Sequence, residues 1–126
     1  MGKKPFSLTA RFKSFIYAFQ GIKHLLVTQH NAWIHAVATV GVVTLGGYFK
    51  ISQSEWAILA LAIAMVWAAE AFNTALEILC DKISPEQNQH IGHCKDVAAA
   101  AVLFTALGAA TCGIMVFWPY CQVWWQ

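Results

Sequence analysis

Three stretches of the chain are long, apolar and almost free of charge. Trp33–Phe49 and Trp56–Ala69 carry no formal charge, and Val97–Trp118 runs for 22 residues without one. Behind Ala69 the apolar pattern continues to Ile83 with acids set into it. A membrane-crossing helix needs about 20 apolar residues, or roughly 17 at the least, so each stretch is long enough to span. Gly46-Gly47 reads as the turn signal that ends the first span. Ahead of the spans, Phe12, Phe15, Ile16, Phe19, Ile22 and Leu26 fall on one helical face, while Arg11, Lys13, Gln20 and His24 fall elsewhere. That pattern predicts a basic amphipathic helix lying in the headgroup region, with Lys23 near its apolar face, where the stem can snorkel. The expected layout is a single membrane domain over 1–126: a surface helix over about 8–30, membrane helices over 32–49, 56–83 and 96–118, and a tail over 119–126.

Composition agrees with this fold class, an all-α integral membrane protein. Hydrophobic residues make up 59% of the chain and charged residues 11%, against about 25% charged in soluble domains. The run lengths disfavour the rival, a soluble helical bundle. A cleavable signal peptide does not fit, because Lys23 breaks Ser14–Val27 and no small-residue cleavage site follows. Lys3, Lys4, Arg11, Lys13 and Lys23 stand in residues 1–32 with no acid among them. The positive-inside rule therefore places the N-terminus and the 80–96 loop in the cytoplasm of a multi-pass protein. Trp33, Trp56, Trp118, Trp124 and Trp125 stand at or beyond span ends, where aromatic belts form. Cys80, His90, His93 and Cys94 group metal-ligand residue types, but their spacing matches no usual zinc pattern. Loop histidines are the better reading, and a disulfide is not expected in a reducing cytoplasm.

The second span holds the chemistry. On a helix of 3.6 residues per turn, Glu70, Asn73, Glu77 and Asp81 share an arc of about 80°. Ala60, Ala64, Ala68, Ala71 and Ala75 line a different face, suited to close helix packing. Counted from Trp56 at 1.5 Å per residue, Glu70 lies about 21 Å into the bilayer and Glu77 about 31 Å, with Asp81 at or beyond the surface. The stripe thus runs from lipid to water. Ionisable groups at such depth cost about 2.5 kcal/mol or more and mark function by default. The structural alternative is that Glu70 and Asn73 only hydrogen-bond neighbouring helices. Two carboxylates two turns apart can divide labour, the drier as a general base and the wetter as a ligand for a hard cation such as Mg²⁺. Lys95-Asp96, expected to open the third span, places a cation and a helix N-terminus where a phosphate could bind.

At these residues the chain resembles the prokaryotic diacylglycerol kinase family, which includes the undecaprenol kinases. The pattern E-x-x-N-[ST]-x-x-E-x-x-x-D matches at Glu70, Asn73, Thr74, Glu77 and Asp81, followed by Ser84-Pro85-Glu86 and Lys95-Asp96-Val97-Ala98-Ala99. The likeness extends from about Arg11 to Trp118. It implies a homotrimer with composite sites near the cytoplasmic surface that moves the γ-phosphoryl group of Mg-ATP to a lipid hydroxyl. It also implies Glu70 as general base with Asn73 in support, and Glu77 as a ligand of metal and ATP. Tyr17, Glu86, Gln87, Asn88, Lys95 and Asp96 fall where the family binds nucleotide, and Asp81 and Arg11 would support the site. One place departs from the family pattern: a glutamate expected before the first span, as a second metal ligand, is here Gln29. An amide oxygen can still coordinate Mg²⁺ but brings no charge. Asn31, His35, the Asn73-Thr74 pair and Ser84-Pro85-Glu86 agree with the undecaprenol-type branch, which leans the acceptor toward a polyprenol over diacylglycerol.

The expected activity is therefore ATP-dependent phosphorylation of a membrane lipid alcohol, with no nucleic-acid partner. Phosphoryl transfer asks mainly for positioning and charge neutralisation, which a few side chains can supply without a P-loop. Gln29 motivates one rival, a catalytically weakened scaffold or partner subunit. A second rival, an ion or proton carrier, is disfavoured because the third span holds no acid or base beyond Asp96.

Overall fold

A computed structural model describes Gly2 and residues 5–126; of the basic residues used for orientation, Lys3 and Lys4 lie outside the described residues. The described chain is all helix: α1 (Leu8–Thr28), α2 (His30–Phe49), α3 (Gln53–Ile83), α4 (Gln89–Gln122) and a closing 3₁₀ turn at Val123–Trp125. Three of these helices, α2, α3 and α4, are long and apolar enough to cross a membrane.

Local chemistry sets each boundary. Ser7 caps α1, its hydroxyl accepting from the Ala10 N–H at 3.3 Å. Only Gln29 separates α1 from α2: its backbone turns extended (φ −108°, ψ 116°), and its N–H still donates to the Leu25 carbonyl. The apolar face of α1 stays uncovered by the rest of the chain, with Phe12, Phe15, Ile16, Phe19 and Ile22 all exposed and only Leu25 buried. Such a face suits the headgroup boundary of a bilayer.

α2 ends at Phe49, but the glycine pair is not what stops it. Gly46 and Gly47 do not terminate the helix; they lie in its last turn, and Lys50 ends it in the left-handed region (φ 52°, ψ 51°). Lys50 N–H donates to Gly47 O at 3.4 Å and Ile51 N–H to Gly46 O at 3.2 Å, the paired bonds of a Schellman motif. Gly46 is needed for space rather than for backbone freedom. A Cβ there would sit 2.5 Å from the Trp56 ring and 3.1 Å from Ile51, so α3 enters directly against the α2 backbone. A reciprocal capping box then starts α3: Ser52 Oγ accepts from the Glu55 N–H and Glu55 Oε2 accepts from the Ser52 N–H.

The start of α4 is a second correction. The helix opens at Gln89, about two turns before Lys95-Asp96, because Asn88 caps it by accepting from His90 N–H at 2.9 Å and Ile91 N–H at 3.5 Å. At the far end α4 continues through Pro119 to Gln122, so most of the expected tail is helical. At 1.5 Å per residue α3 and α4 run about 46 and 51 Å, well beyond a hydrocarbon core of about 30 Å. They pair along their length as the main contact of the fold.

The best-packed region lies at the end of the bundle where α2 turns into α3. Ile51, Leu59 and Val116 are buried there beneath Phe49, Trp56, Phe117 and Tyr120. Phe49 stacks obliquely on Tyr120 and Phe117 at 5.6 and 6.1 Å, and Tyr120 Oη donates to Glu55 Oε2 at 2.7 Å. The alanine face of α3 is different. Ala60, Ala64, Ala68, Ala71 and Ala75 are all exposed in the single chain, so one chain leaves that face largely uncovered, and the buried face of α3 is the one carrying Glu70 and Asn73.

Gly46→Val should therefore destabilise the fold by about 1–3 kcal/mol, the usual cost of forcing extra carbon into a packed contact. Thermal unfolding in detergent would register it as a lowered midpoint, whereas Gly47→Val, at a glycine with open space around it, should lower it much less.

Candidate active site

Glu70 stands near the middle of α3, and only 1% of its surface is exposed. Its Oε2 lies 3.2 Å from His35 Nε2 on α2. A turn further along α3, Asn73 is also buried, and its Nδ2 donates to Glu77 Oε1 at 3.3 Å. Glu77 is half-buried and Asp81 exposed. Burial thus declines along one helical face from Glu70 to Asp81, as the spacing of the acids predicts. The carboxylate of Asp81 pairs with the Lys95 ammonium, which ties the end of α3 to the second turn of α4. Lys95 is held as a side chain opposite Asp81 and not by a helix N-terminus, since α4 begins at Gln89.

The turn between α3 and α4 borders an open cavity of about 550 Å³ lined mainly by polar residues. Asp81, Glu86, Gln87, Asn88 and Lys95, all singled out in the sequence, line it, together with Ser84 and the backbone at Gly92. Ser84 stiffens the turn, its hydroxyl donating to the Glu86 carbonyl at 3.0 Å. The Asn88 carbonyl oxygen is committed to capping α4, which leaves its amide N–H groups for the cavity. Asp96 is exposed on the next residue of α4 and does not line the cavity.

Other predicted residues stand apart. Tyr17 and Arg11 are exposed on α1, and neither makes a side-chain hydrogen bond or ion pair among the described residues. Gln29 is half-buried at the α1–α2 junction, its amide nitrogen donating to Thr28 Oγ1 at 3.2 Å. Among the described residues no group of three or more His, Cys, Asp or Glu side chains is placed to hold a metal ion. Cys80, Cys94, Cys112 and Cys121 are all free thiols.

Two features went unread in the sequence. Asn73 Oδ1 and Thr74 Oγ1 are buried without a hydrogen-bond partner, beside the carboxylates. The second is the partner of Glu70. His35 was legible as an ionisable residue inside an apolar span, and such a residue is a functional candidate by default. What no spacing rule shows is which carboxylate it meets across the α2–α3 packing.

On the opposite side of this polar step, an apolar groove of about 580 Å³ runs between α2, α3 and α4. It starts at His35 and Thr39 and extends past Val42 and Ala110 to Trp118 and Cys121. His35 lines this groove and also meets Glu70, so one side chain stands between the groove and the acidic face of α3.

Membrane-crossing helices with a buried carboxylate near a polar cavity are the frame of a membrane-embedded enzyme. The chain belongs to the prokaryotic diacylglycerol kinase family, whose model matches residues 16–117; it is a lipid kinase of the membrane. It is 34% identical over 108 residues to an undecaprenol kinase of Bacillus subtilis, covering 86% of this chain and 88% of the relative. A diacylglycerol kinase of Synechocystis is also 34% identical, over 84% of this chain and 61% of that protein. A diacylglycerol kinase of Escherichia coli is 22% identical over 95% and 98% of the two chains.

Proposed function

We propose that the protein transfers the γ-phosphoryl group of ATP to the hydroxyl of a membrane lipid alcohol, with Glu70 as the general base. The observation that carries this reading is the single helical face on which a buried carboxylate leads, through Asn73 and Glu77, to the exposed Asp81–Lys95 pair and the polar cavity. A lipid hydroxyl must be activated where lipid is, and ATP can approach only from water. Glu70 meets the first need, accepting the hydroxyl proton as the alcohol oxygen bonds to the γ-phosphorus. Lys95 and the amide groups of the α3–α4 turn meet the second, as donors to the triphosphate. The bond from the γ-phosphorus to the bridging oxygen breaks, and ADP and a lipid phosphate leave on opposite sides.

Magnesium fits the donor set in part. Glu77 supplies one carboxylate, and the unpartnered Asn73 Oδ1 is a hard oxygen beside it. Magnesium in nucleotide sites is held by one or two carboxylates, with phosphates and water completing its shell. When bound, the ion would neutralise charge on the β- and γ-phosphates. Gln29 is the second protein donor we propose for it, from the α1–α2 junction. We place Tyr17, Arg11 and Asp96 in the site through assembly. Their exposure in the single chain and the uncovered alanine face of α3 both support a homotrimer in which neighbouring chains complete each site. The polar end would face the cytoplasm of the inner membrane, where ATP is available.

For the acceptor, the groove that starts at His35 suits a hydrocarbon tail. The undecaprenol kinase likeness, which covers most of both chains, favours a polyprenol over diacylglycerol. Radiolabelled ATP given with each lipid alcohol in turn tests both points: a labelled polyprenyl phosphate supports the reading, and no labelled lipid at all would leave the scaffold role that Gln29 suggests.

Glu70→Gln keeps the shape of the side chain but cannot accept a proton, so it should reduce phosphotransfer by about 10²–10⁴-fold in an oligomer that still assembles. Activity within about tenfold of the parent would remove Glu70 from the base role.

Lys95→Ala should raise the Michaelis constant for ATP far more than that for the lipid, through loss of a phosphate contact. Its unfolding midpoint should stay near the parent's, because an exposed ion pair contributes little to stability. Equal effects on both Michaelis constants would make Lys95 an assembly residue instead.

Gln29→Glu should lower the magnesium concentration for half-maximal rate, since it adds a carboxylate where the chain offers a neutral amide. The gain is about 1–3 kcal/mol at moderate screening. A magnesium titration of both proteins measures it, and unchanged half-saturation would show that other donors already suffice.

A further inference from the structure

We infer that His35 is a positioning residue for phosphotransfer: it fixes the Glu70 carboxylate so that one oxygen faces the acceptor hydroxyl. The inference rests on the reading of Glu70 as the base. A glutamate has three rotatable side-chain bonds, and the contact with His35 is the hydrogen bond the Glu70 carboxylate makes within the described residues. That bond, from His35 Nε2 to Oε2, gives the carboxylate a direction and leaves Oε1 for the substrate.

His35 is itself fixed from both sides. Thr39 Oγ1 donates to the His35 carbonyl at 2.7 Å and accepts from Trp67 Nε1–H at 3.0 Å. The Trp67 ring meets the His35 imidazole edge-on at 6.2 Å and 68°. Trp67 stands one helical turn before Glu70 on α3, so the brace closes a loop: α3 holds α2 through Trp67 and Thr39, and α2 holds the α3 carboxylate through His35. A carboxylate alone in this environment would be costly, and a charge-assisted hydrogen bond is about twice as strong as a neutral one. Because His35 also forms the first wall of the apolar groove, the same ring separates the hydrocarbon tail from the base. A lipid lying in that groove would bring its head to His35, one hydrogen bond from Glu70.

The variants that test this keep Glu70 intact. His35→Leu fills the space without a donor, His35→Gln places an amide N–H at a reach close to that of Nε2, and His35→Asn carries the same amide too short to arrive. In phosphotransfer assays His35→Leu and His35→Asn should lose roughly 10²-fold in kcat, the cost of misplacing a reacting group by about 1 Å, with the Michaelis constant for ATP unchanged. His35→Gln should recover most of that loss. A merely structural histidine would not separate Gln from Asn, since both bury an amide, and would not confine the defect to kcat. Should His35→Leu fail to assemble, the Gln and Asn pair still decides.

Parent protein and Glu70→Gln run alongside keep the two readings distinct. An active Glu70→Gln overturns the base assignment and the positioning role with it. An inactive Glu70→Gln together with His35→Asn at parental kcat, or with Gln and Asn equally impaired, overturns the positioning role alone.

Discussion

Everything at the polar end of this bundle follows from placing one carboxylate where there is no water. Glu70 is the most buried polar side chain among the described residues, at a depth where an acid costs about 2.5 kcal/mol or more. A chain that tolerates such a group has to surround it with protein and give it a partner. The face of α3 that carries it is accordingly the face turned toward the other helices, and the alanines, which could have packed there more tightly, look outward. His35, Thr39 and Trp67 are the partners that make the arrangement possible. Without them α2 would meet α3 through apolar contacts alone, which lipid tails can replace.

The helical repeat turns this burial into a path. Residues three, seven and eleven positions after Glu70 return to nearly the same face while descending about 1.5 Å per residue, so the stripe samples each environment in turn. Asn73 is buried, Glu77 half-buried and Asp81 exposed. Side chains of similar chemistry are thereby set in different environments. The α3–α4 turn follows with an open polar cavity lined by the Asp81–Lys95 ion pair and the Asn88 cap. The other end of the molecule does separate work. There the aromatic cluster, the Schellman turn at Lys50 and the Tyr120–Glu55 bond join the helices firmly, far from any residue assigned to chemistry.

The spans and the acidic stripe were legible because both are periodic or long, and a bilayer leaves few alternatives for such patterns. Boundaries were less so. The start of α4 hid in a polar segment, where Gln89, His90 and His93 give no hydrophobic period and only the Asn88 cap marks the helix. Gly46-Gly47 reads as a stop because glycine so often ends helices, yet here the stop falls to Lys50 and Gly46 admits Trp56. The two boundaries differ in cause: a local cap without a hydrophobic period sets the start of α4, and a tertiary contact gives Gly46 a use other than its commonest one. The polar cavity was read more fully than the groove, since its residues are adjacent in sequence. The groove draws on three helices and cannot be assembled from one chain position to the next.

Asn73 and Thr74 bear on what the site is built to receive. A buried polar atom without a partner costs about 1–3 kcal/mol, and native structures hold few of them. Here two occur on consecutive residues, Asn73 Oδ1 and Thr74 Oγ1, each about one turn from both Glu70 and Glu77. Their side chains are not idle by neglect, because the other end of the Asn73 amide is already bonded to Glu77. That bond fixes the rotation of the amide and so fixes where Oδ1 points. Replacing both residues by apolar ones of the same size would remove the cost and leave the packing intact, so stability does not account for them. An acceptor oxygen held in place beside a carboxylate suits a cation, and a hydroxyl suits either a cation's water or a phosphate oxygen. On the proposed reading these unmet bonds are ones that a metal–triphosphate would engage, and its binding would offset the cost of leaving them unmet.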